Sequence, residues 1–390
     1  MKILFLSRWF PYPINNGSKL RIYNLLRGLS QLHDISLLSF ANQPGASPEA
    51  PEIREICSKV KVVPWKEFNP NTLRARLAIL NFQPRSIVDT FSPEMAQAIT
   101  KSLNEQRYDL VIASQLQMAA YYPHFQDVPA IFEECEIGLF HDLAFSSDGK
   151  IHIRHALTWF KLRTYLSQLL DSFQACTVVS EQERQLLLQN FSKFTNPIEI
   201  IPNCLNMDEY MNIKAEKKPN VLIFTGPFKY HANYEAMLWF IGDVFPLILE
   251  RVPDTHLIIT GDHCNLPLPS SKNITLAGYV DDIKMLIASS TVSVAPLLSG
   301  GGTRLKILEA MALGTPVVAT PKGAEGLDVI SGEHLLLANS PAEYADCVIK
   351  LLNDENSRLQ FARKARILLQ EKYNWGRALS DYSGLINTVV

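Results

Sequence analysis

The sequence predicts an α/β protein built from two Rossmann-like domains that face a cleft between them, and three observations lead to this prediction. Short continuous runs rich in Val, Ile and Leu alternate with helical patterns along the chain. Such runs are typical of parallel strands that helices cover on both faces. The alternation occurs as two successive sets, separated by a polar segment, and 390 residues are enough for two domains.

The predicted strands form a first set of seven and a second set of six. The first set comprises residues 2–7, 34–40, 60–64, 109–114, 129–132, 175–180 and 198–202. The second set comprises residues 220–225, 255–261, 273–277, 291–296, 315–320 and 333–338. The polar segment 211–220 lies between the sets, so we predict one domain over residues 1–211 and another over 212–372. An amphipathic pattern over residues 373–390 predicts a terminal helix that packs back on the first domain or onto the second.

Composition and charge exclude several classes of protein. Hydrophobic residues make up 47% and charged residues 19% of the chain, which is typical of a globular protein. The formal net charge of −2 gives no overall field that would attract nucleic acid, so any anion site must be local. The six cysteines are scattered without a CxxC pair, which argues against a zinc or redox site and favours a reducing compartment. Neither a signal peptide nor a long apolar span is evident, so we expect a cytoplasmic protein.

The most informative segment is residues 299–312, where a run of glycines leads into a predicted helix with Thr303 as its N-cap. Arg304 and Lys306 lie in the first turn, where the helix dipole disfavours each cation by about 0.3–1 kcal/mol. A bound anion would remove this penalty and find free backbone N–H groups, which predicts a diphosphate site. Glu309, one turn on, is suited to binding vicinal hydroxyls. The alternative, an ordinary Lys306–Glu309 surface pair, explains neither the glycines nor the absence of an acid in the first turn.

Three other loops are expected at the carboxyl ends of strands, where open parallel sheets bind ligands. In residues 226–231, Lys229 is either a second phosphate contact or a solvated lysine, and Asn233 is a candidate cap for the helix that follows. Residues 278–281 form the second loop. In the first half, Gly17 either ends a loop or allows close approach of a ligand phosphate or sugar. A Walker A loop and a GxGxxG motif are both missing, which argues against a P-loop ATPase and an NAD enzyme.

Two segments of the first half leave alternatives open. Residues 132–142 carry three glutamates and a histidine after a strand, which could supply a general base or orient an acceptor hydroxyl. A solvated acidic turn is the favoured alternative for any single residue there. Residues 151–165 combine basic and aromatic side chains, and contact with an anionic membrane is one interpretation. A helix that buries its aromatics and solvates its charges is the more common alternative.

These residues resemble a known family. The second half is similar to the nucleotide-sugar-binding domain of the family 4 retaining glycosyltransferases of GT-B fold. The resemblance rests on Phe224-Thr225-Gly226 with Asn233, Leu276-Ala277-Gly278-Tyr279-Val280, Pro296, Thr303-Arg304-Leu305-Lys306-Ile307-Leu308-Glu309-Ala310-Met311-Ala312 and Gly314-Thr315-Pro316-Val317-Val318. The first half adds a weaker match through Pro13, Gly17, Arg21 and Ile201-Pro202-Asn203.

The resemblance implies a nucleotide-diphosphate sugar, UDP- or GDP-linked, held mainly by the second domain. Arg304 and Lys306 would contact the diphosphate, Glu309 the ribose, and the backbone around Val280 the base. It also implies transfer with retention at the anomeric carbon, without a metal and with no cofactor besides the donor. His141 is a loose positional counterpart of the histidine that relatives place near the reacting sugar.

One departure concerns the donor sugar. The family pattern has two glutamates eight positions apart, and Glu309 matches the second. Gly301 occupies the first position, where relatives have a glutamate that helps to hold the sugar. The backbone N–H groups of Gly301 and Gly302 are candidates to replace it.

We therefore predict a retaining, metal-independent glycosyltransferase of hexosyltransferase type that acts in glycan, polysaccharide or lipid-linked sugar synthesis. Its predicted partners are a nucleotide sugar and a glycan or lipid-linked acceptor, with contact at the inner face of a membrane left open. The alternatives are a nucleotide-sugar 2-epimerase and a degenerate protein that only binds nucleotide or glycan. The predicted site comprises catalytic Arg304, Lys306, Glu309 and His141, donor-binding Gly226, Lys229, Tyr279, Val280, Gly301, Gly302 and Thr303, and the loop residue Gly17.

Overall fold

The structure is a computed structural model that describes residues 1–41, 46–145, 153–302 and 304–390. It divides into two compact units, the first formed by Met1–Pro202 with Ala378–Val390 and the second by Asn203–Arg377. The division falls before residue 211, where the sequence placed the end of the first domain. Residues 203–211 belong to the second unit because Leu205, Met207 and Tyr210 join its apolar core.

The first unit contains a parallel sheet of seven strands in the described residues, in the order β3-β2-β1-β4-β5-β6-β7. Its strands are β1 (Lys2–Ser7), β2 (Asp34–Ala41), β3 (Lys59–Pro64), β4 (Leu110–Ser114), β5 (Ala130–Glu133), β6 (Ala175–Val178) and β7 (Ile198–Ile200). Its helices are α1 (Gly17–Leu29), α2 (Pro51–Arg54), α3 (Leu73–Leu77), α4 (Arg85–Thr90), α5 (Pro93–Glu105), α6 (Gln115–Ala119), α7 (Gly138–Ala144), α8 (Ile153–Leu170) and α9 (Glu181–Asn190). Short 3₁₀ turns span Ala78–Leu80 and Tyr122–His124.

The second unit contains a parallel sheet of six strands in the described residues, in the order β10-β9-β8-β11-β12-β13. Its strands are β8 (Val221–Thr225), β9 (His256–Thr260), β10 (Ile274–Gly278), β11 (Val292–Ala295), β12 (Val317–Ala319) and β13 (Leu336–Leu337). Its helices are α10 (Asp208–Met211), α11 (His231–Trp239), α12 (Phe245–Arg251), α13 (Ile283–Ser289), α14 (Leu305–Ala312), α15 (Pro341–Asn353) and α16 (Glu355–Lys372), with a π-helical turn at Phe240–Val244. A last helix, α17 (Trp375–Val389), begins in this unit.

Most of α17 belongs to the first unit, in which Leu379 packs on α1. A Cβ atom built on Gly28 would lie only 2.2 Å from Leu379 Cδ1, so glycine lets the two helices approach closely. The terminal helix therefore packs on the first unit, one of the two options that its amphipathic pattern left open.

The predicted α/β class with two Rossmann-like domains is confirmed, since both sheets are parallel and helices separate their strands. Each predicted strand segment overlaps an observed strand, because the buried apolar runs that identify strands in the sequence fill the two cores. The ends differ by a few residues at β7, β12 and β13, which are the shortest strands.

The strand order reverses once in each sheet, between β1 and β4 and between β8 and β11. At such a switch point the connections leave in opposite directions, and this opens a crevice at the carboxyl ends of the strands. Two of the three predicted ligand loops of the second unit follow β8 and β11 and therefore lie at its switch point, whereas the third, residues 278–281, follows the edge strand β10. Among the described residues, no helix has the length and apolar character needed to cross a membrane.

Candidate functional site in the second unit

Glycines shape the two loops at the switch point of the second unit. We call residues 299–302, which follow β11, the glycine loop. Gly300 and Gly302 have φ angles of +94° and +83°, a conformation that side chains other than glycine disfavour. A Cβ on Gly300 would lie 2.0 Å from the Tyr230 hydroxyl, and this hydroxyl donates to the carbonyl of Gly301 at 3.3 Å. The loop after β8 and the glycine loop are therefore in direct contact.

Arg304 holds the glycine loop in place. Its guanidinium is buried and donates to the carbonyl oxygens of Gly301 and Gly300, both at 2.8 Å, and to that of Lys322 at 3.2 Å. Helix α14 begins at Leu305, one residue later than a first turn containing Arg304 requires. Arg304 thus precedes the helix, and its hydrogen bonds stabilise the conformation of the glycine loop. The predicted cap, Thr303, lies outside the described residues.

Lys306, on the first turn of α14, has a neutral amide as its hydrogen-bond partner. Its ammonium donates to Asn233 Oδ1 at 2.8 Å and lies 4.2 Å from the centre of the Phe224 ring. Burial, reinforced by the charge of Arg304, lowers the pKa of Lys306 to about 7. A positive charge here is therefore disfavoured until an anion arrives, which is the electrostatic condition of an anion site.

Gly226 leaves room for the Lys306 ammonium. A Cβ on Gly226 would lie 2.9 Å from Lys306 Nζ and 2.6 Å from Asn233 Nδ2, and its φ of +143° also requires glycine. Asn233 does not cap α11, as the sequence suggested. That helix begins at His231, and the buried Asn233 side chain instead donates to the carbonyl of Pro227 at 2.9 Å. Asn233 thus fixes the loop after β8 while accepting from Lys306.

Glu309 lies one turn beyond Lys306 on α14 and has a partner that sequence reasoning missed. The Tyr210 hydroxyl donates to Glu309 Oε1 at 3.2 Å. Burial raises the pKa of Glu309 and also that of Tyr210. Lys284 lies 4.3 Å from the centre of the Tyr210 ring and pairs with Glu209 at 3.0 Å. No motif marks Tyr210, because only the packing of α10 against α14 brings it to Glu309.

The remaining predicted donor residues lie on the surface loops of this unit. Lys229 is exposed in the turn between β8 and α11. Tyr279 is 87% exposed directly after β10, and Val280 beside it is half-buried. These positions agree with loops at the carboxyl ends of strands, but their predicted donor contacts remain predictions.

Two predicted site residues belong to the first unit. Gly17 begins α1, where Asn16 caps the helix by accepting from the backbone N–H of Lys19. His141 lies on α7 and packs its ring against Phe145 and Trp159, with centroid distances of 4.9 and 5.2 Å. His141 is thus held by aromatic packing, and its proposed role near a sugar remains a prediction.

The acidic segment 132–142 is not a solvated turn at its first two glutamates, Glu133 at the end of β5 and Glu134 after it, which corrects the favoured interpretation. Glu133 is fully buried, accepts from Arg21 Nε at 2.7 Å and accepts from the Ser114 hydroxyl at 2.6 Å. Glu134 is also buried, accepts from Gln115 at 2.8 Å, and has a pKa that burial raises. The carboxyl groups of Glu133 and Glu134 can be buried because the Arg21 guanidinium lies beside both of them. In the described parts of the chain, no cluster of His, Cys, Asp or Glu could hold a metal ion.

Two models of known protein families match the chain. A family model described as Glycosyltransferase Family 4 matches residues 15–209, and one described as Glycosyl transferases group 1 matches residues 219–354. The first model covers half of the chain. The chain belongs to glycosyltransferase family 4. It is therefore a glycosyltransferase enzyme, and the epimerase alternative is not favoured.

Relatives of this family 4 glycosyltransferase agree with the assignment. An uncharacterised 44.6 kDa protein of the cps region of Klebsiella pneumoniae is 22% identical, over 97% of this chain and 98% of that protein. The phosphatidyl-myo-inositol mannosyltransferase of Mycobacterium leprae is 28% identical over 48% of this chain and 53% of its own length.

Solved structures share the fold over the full chain. A sucrose-phosphate synthase from Thermosynechococcus elongatus has a TM-score of 0.70 at 16% identity, covering 100% of this chain and 99% of its own. HepE from Anabaena, solved with UDP and glucose, has a TM-score of 0.68 at 14% identity and covers 100% of both chains. At these identities the likeness establishes the fold alone, which is the GT-B architecture.

Proposed function

We propose that this glycosyltransferase transfers a hexose, with retention, from a UDP- or GDP-linked donor to an acceptor hydroxyl in glycan, polysaccharide or lipid-linked sugar synthesis. The observation that carries the proposal is the position of Lys306. Its ammonium lies next to Gly226, at the switch point of the second unit. The residue itself is on the first turn of α14, the helix that follows the glycine loop. Glycine-rich backbone, a helix N-terminus and a cation together form a diphosphate-binding arrangement.

Each side chain at this crevice has a distinct role in the proposed reaction. Lys306 contacts the diphosphate and stabilises the negative charge that develops as the bond from the anomeric carbon to the phosphate oxygen breaks. Arg304 positions the glycine loop through its hydrogen bonds to carbonyl oxygens, and its direct contact with the diphosphate stays a prediction. Glu309, held by Tyr210, binds the ribose hydroxyls. The backbone around Val280, beside the exposed Tyr279, meets the base.

The reaction proposed needs neither a protein nucleophile nor a metal ion. The acceptor hydroxyl attacks the anomeric carbon from the face that the diphosphate leaves, which retains the configuration. As the bond from the anomeric carbon to the phosphate oxygen breaks, the hydroxyl proton passes to that departing oxygen. Charge on the departing diphosphate is compensated by Lys306 and by backbone N–H groups of the glycine loop. We propose that the first unit takes the glycan or lipid-linked acceptor. HepE, which was solved with UDP and glucose, supports a nucleotide-sugar donor by analogy.

A donor panel tests the proposal. The purified protein is screened by thermal shift against UDP-, GDP-, ADP- and CMP-sugars, since a ligand of the folded state raises its stability. The best donor is then incubated with candidate acceptors, and NMR reads the anomeric configuration of the product. We expect one donor to give a product with the donor's configuration. Formation of an epimer from the donor alone, an inverted product, or binding with neither transfer nor hydrolysis would each contradict the proposal.

A further inference from the structure

A surface of the first unit combines exposed apolar and basic side chains. We call it the basic apolar surface and define it as residues 68–85 and 153–163. The two segments are in contact, because the Lys161 ammonium on α8 donates to the carbonyl oxygen of Ala78 at 3.3 Å and also to that of Ile79. They are distant in sequence, so the fold alone joins them.

Large apolar side chains of the first segment, residues 68–85, are exposed to solvent. Leu80 is 87% and Phe82 is 83% exposed, and Leu73, Leu77 and Ile79 are also more than half exposed. The turns beneath them are nevertheless ordered by specific contacts, since Arg85 donates to the carbonyl oxygens of Ala75 and Pro70, both at 2.8 Å. Single exposed apolar residues are common on protein surfaces, whereas contiguous groups mark interaction sites.

Helix α8 adds a second apolar stripe to the same surface. Trp159 and the leucines that follow it face the core, as expected for a helix that buries its aromatics. Ile153, Leu157 and Phe160, however, lie at helical spacing on another face, and each is more than half exposed. The sequence interpretation that this helix buries its aromatics thus holds for Trp159 and fails for Phe160.

The charges on this surface all have one sign. The two segments contain Arg74, Arg76, Arg85, Arg154, Lys161 and Arg163, and they contain no Asp or Glu. The nearby carboxylate of Asp89 is buried and pairs with Lys66 at 3.0 Å. Because the whole chain has a formal net charge of −2, this positive surface is a local feature. It is complementary to an anionic partner.

A second copy of the chain fits this surface poorly. In a two-fold contact the same patch meets itself, so that these cations would face one another without acids to neutralise them. An anionic bilayer satisfies both properties, since its headgroups attract Arg and Lys while its acyl boundary accepts Leu and Phe side chains. We propose that the basic apolar surface docks the first unit onto a bilayer containing acidic phospholipid.

Vesicle co-sedimentation of the full chain tests this proposal without requiring a known donor or acceptor. Wild-type protein is mixed with vesicles of phosphatidylcholine alone or of phosphatidylcholine with 30% phosphatidylglycerol, at low and high salt. The test variants are Leu80→Ser/Phe82→Ser and Arg76→Gln/Arg154→Gln, whose side chains are exposed and leave the core intact. The matched controls are Leu32→Ser and Lys193→Gln, which remove an exposed leucine and an exposed lysine of the same unit outside the surface.

We expect binding to the anionic vesicles that is at least about tenfold stronger than to neutral ones and that weakens at high salt. The apolar double variant should reduce the partition coefficient by more than about tenfold, and each lost cation by about fivefold, while the controls bind like wild type. Equal binding to neutral vesicles, or no binding to either, would overturn the proposal. So would self-association in light scattering that the Leu80→Ser/Phe82→Ser variant abolishes, because it would assign the surface to a second copy. Glycosyl transfer does not enter this readout, so its failure and failure of the docking proposal are distinguishable.

Discussion

The switch points of the two units have the same strand topology, but the buried cation beside each has a different kind of partner. In the first unit, Arg21 is fully buried and pairs with Glu133, which also accepts a hydrogen bond from the Ser114 hydroxyl. In the second unit, Lys306 has a neutral partner, Asn233, and its pKa falls to about 7. The carboxylate that follows on its helix, Glu309, is instead held by Tyr210.

Strand topology therefore locates a crevice in each unit, whereas the pairing of its charges decides what that crevice can bind. A cation already paired with a buried carboxylate has little left to offer an anion. One paired with a neutral amide is stabilised further when a phosphate arrives. The first unit uses its cation to hold the structure together, and the second keeps its cation available for a ligand.

The largest effect is expected from breaking the pair in the first unit. Arg21→Met leaves the Glu133 carboxylate buried without its cation and should lower the free energy of unfolding by about 3–5 kcal/mol. Urea denaturation measures this change. The double variant Arg21→Met/Glu133→Leu should recover more than half of the loss, because the Glu133 carboxylate is gone and burial already raises the pKa of Glu134, which favours its neutral form. An Arg21→Met protein as stable as wild type would mean that the pair is not structural.

Arg21→Met is expected to lower stability, whereas Lys306→Ala should cause a large loss of activity and leave the fold unchanged. We expect the turnover number with the best donor to fall about 10²–10³-fold, as for loss of one group that stabilises a developing anion. The free energy of unfolding at pH 7 should not decrease, since burial disfavours the charged form of Lys306. Lys272→Ala is the matched control, because Lys272 is an exposed lysine of the same unit that precedes β10 and lies outside the predicted site, and it should retain most activity. Near-wild-type turnover of Lys306→Ala would remove Lys306 from the mechanism.

A smaller effect is expected at Tyr210, which separates the hydroxyl-binding part of the site from the diphosphate part. Tyr210→Phe removes one hydrogen bond to Glu309 and should weaken binding of UDP or GDP by about 1 kcal/mol, roughly fivefold in Kd. Isothermal titration calorimetry measures this change. For the 2′-deoxy nucleotide the variant and wild type should differ less, because the hydroxyl that Glu309 is proposed to bind is missing. An equal loss for both nucleotides would contradict the ribose role of Glu309.

The sequence predicts this architecture well because its evidence is local. The strands are continuous apolar runs, and the glycine loop with Arg304, Lys306 and Glu309 lies within one short segment. What the sequence missed comes from contacts across the fold. Tyr210 reaches Glu309 only through the packing of α10 on α14, and Arg21 reaches Glu133 only through the order of the strands. The role of Arg304 as a brace likewise depends on Lys322, which is remote from the motif.

Proton uptake on donor binding shows whether Lys306 becomes a charged ligand of the diphosphate. The free protein has a Lys306 pKa of about 7, so the side chain is mostly neutral at pH 8. A bound diphosphate favours the charged form, which raises this pKa, and binding must then take up a proton. The affinity should accordingly fall as the pH rises above 7.

Titration calorimetry at pH 8, in two buffers of different ionisation enthalpy, measures the number of protons bound. The probe is whichever of UDP-glucose and GDP-mannose gives the larger thermal shift, since neither has a secondary phosphate group that titrates there. We predict uptake of nearly one proton by the wild-type protein and none by Lys306→Arg, because arginine stays charged throughout. No uptake by wild type, or the same uptake by Lys306→Arg, would mean that Lys306 is not a charged ligand of the diphosphate.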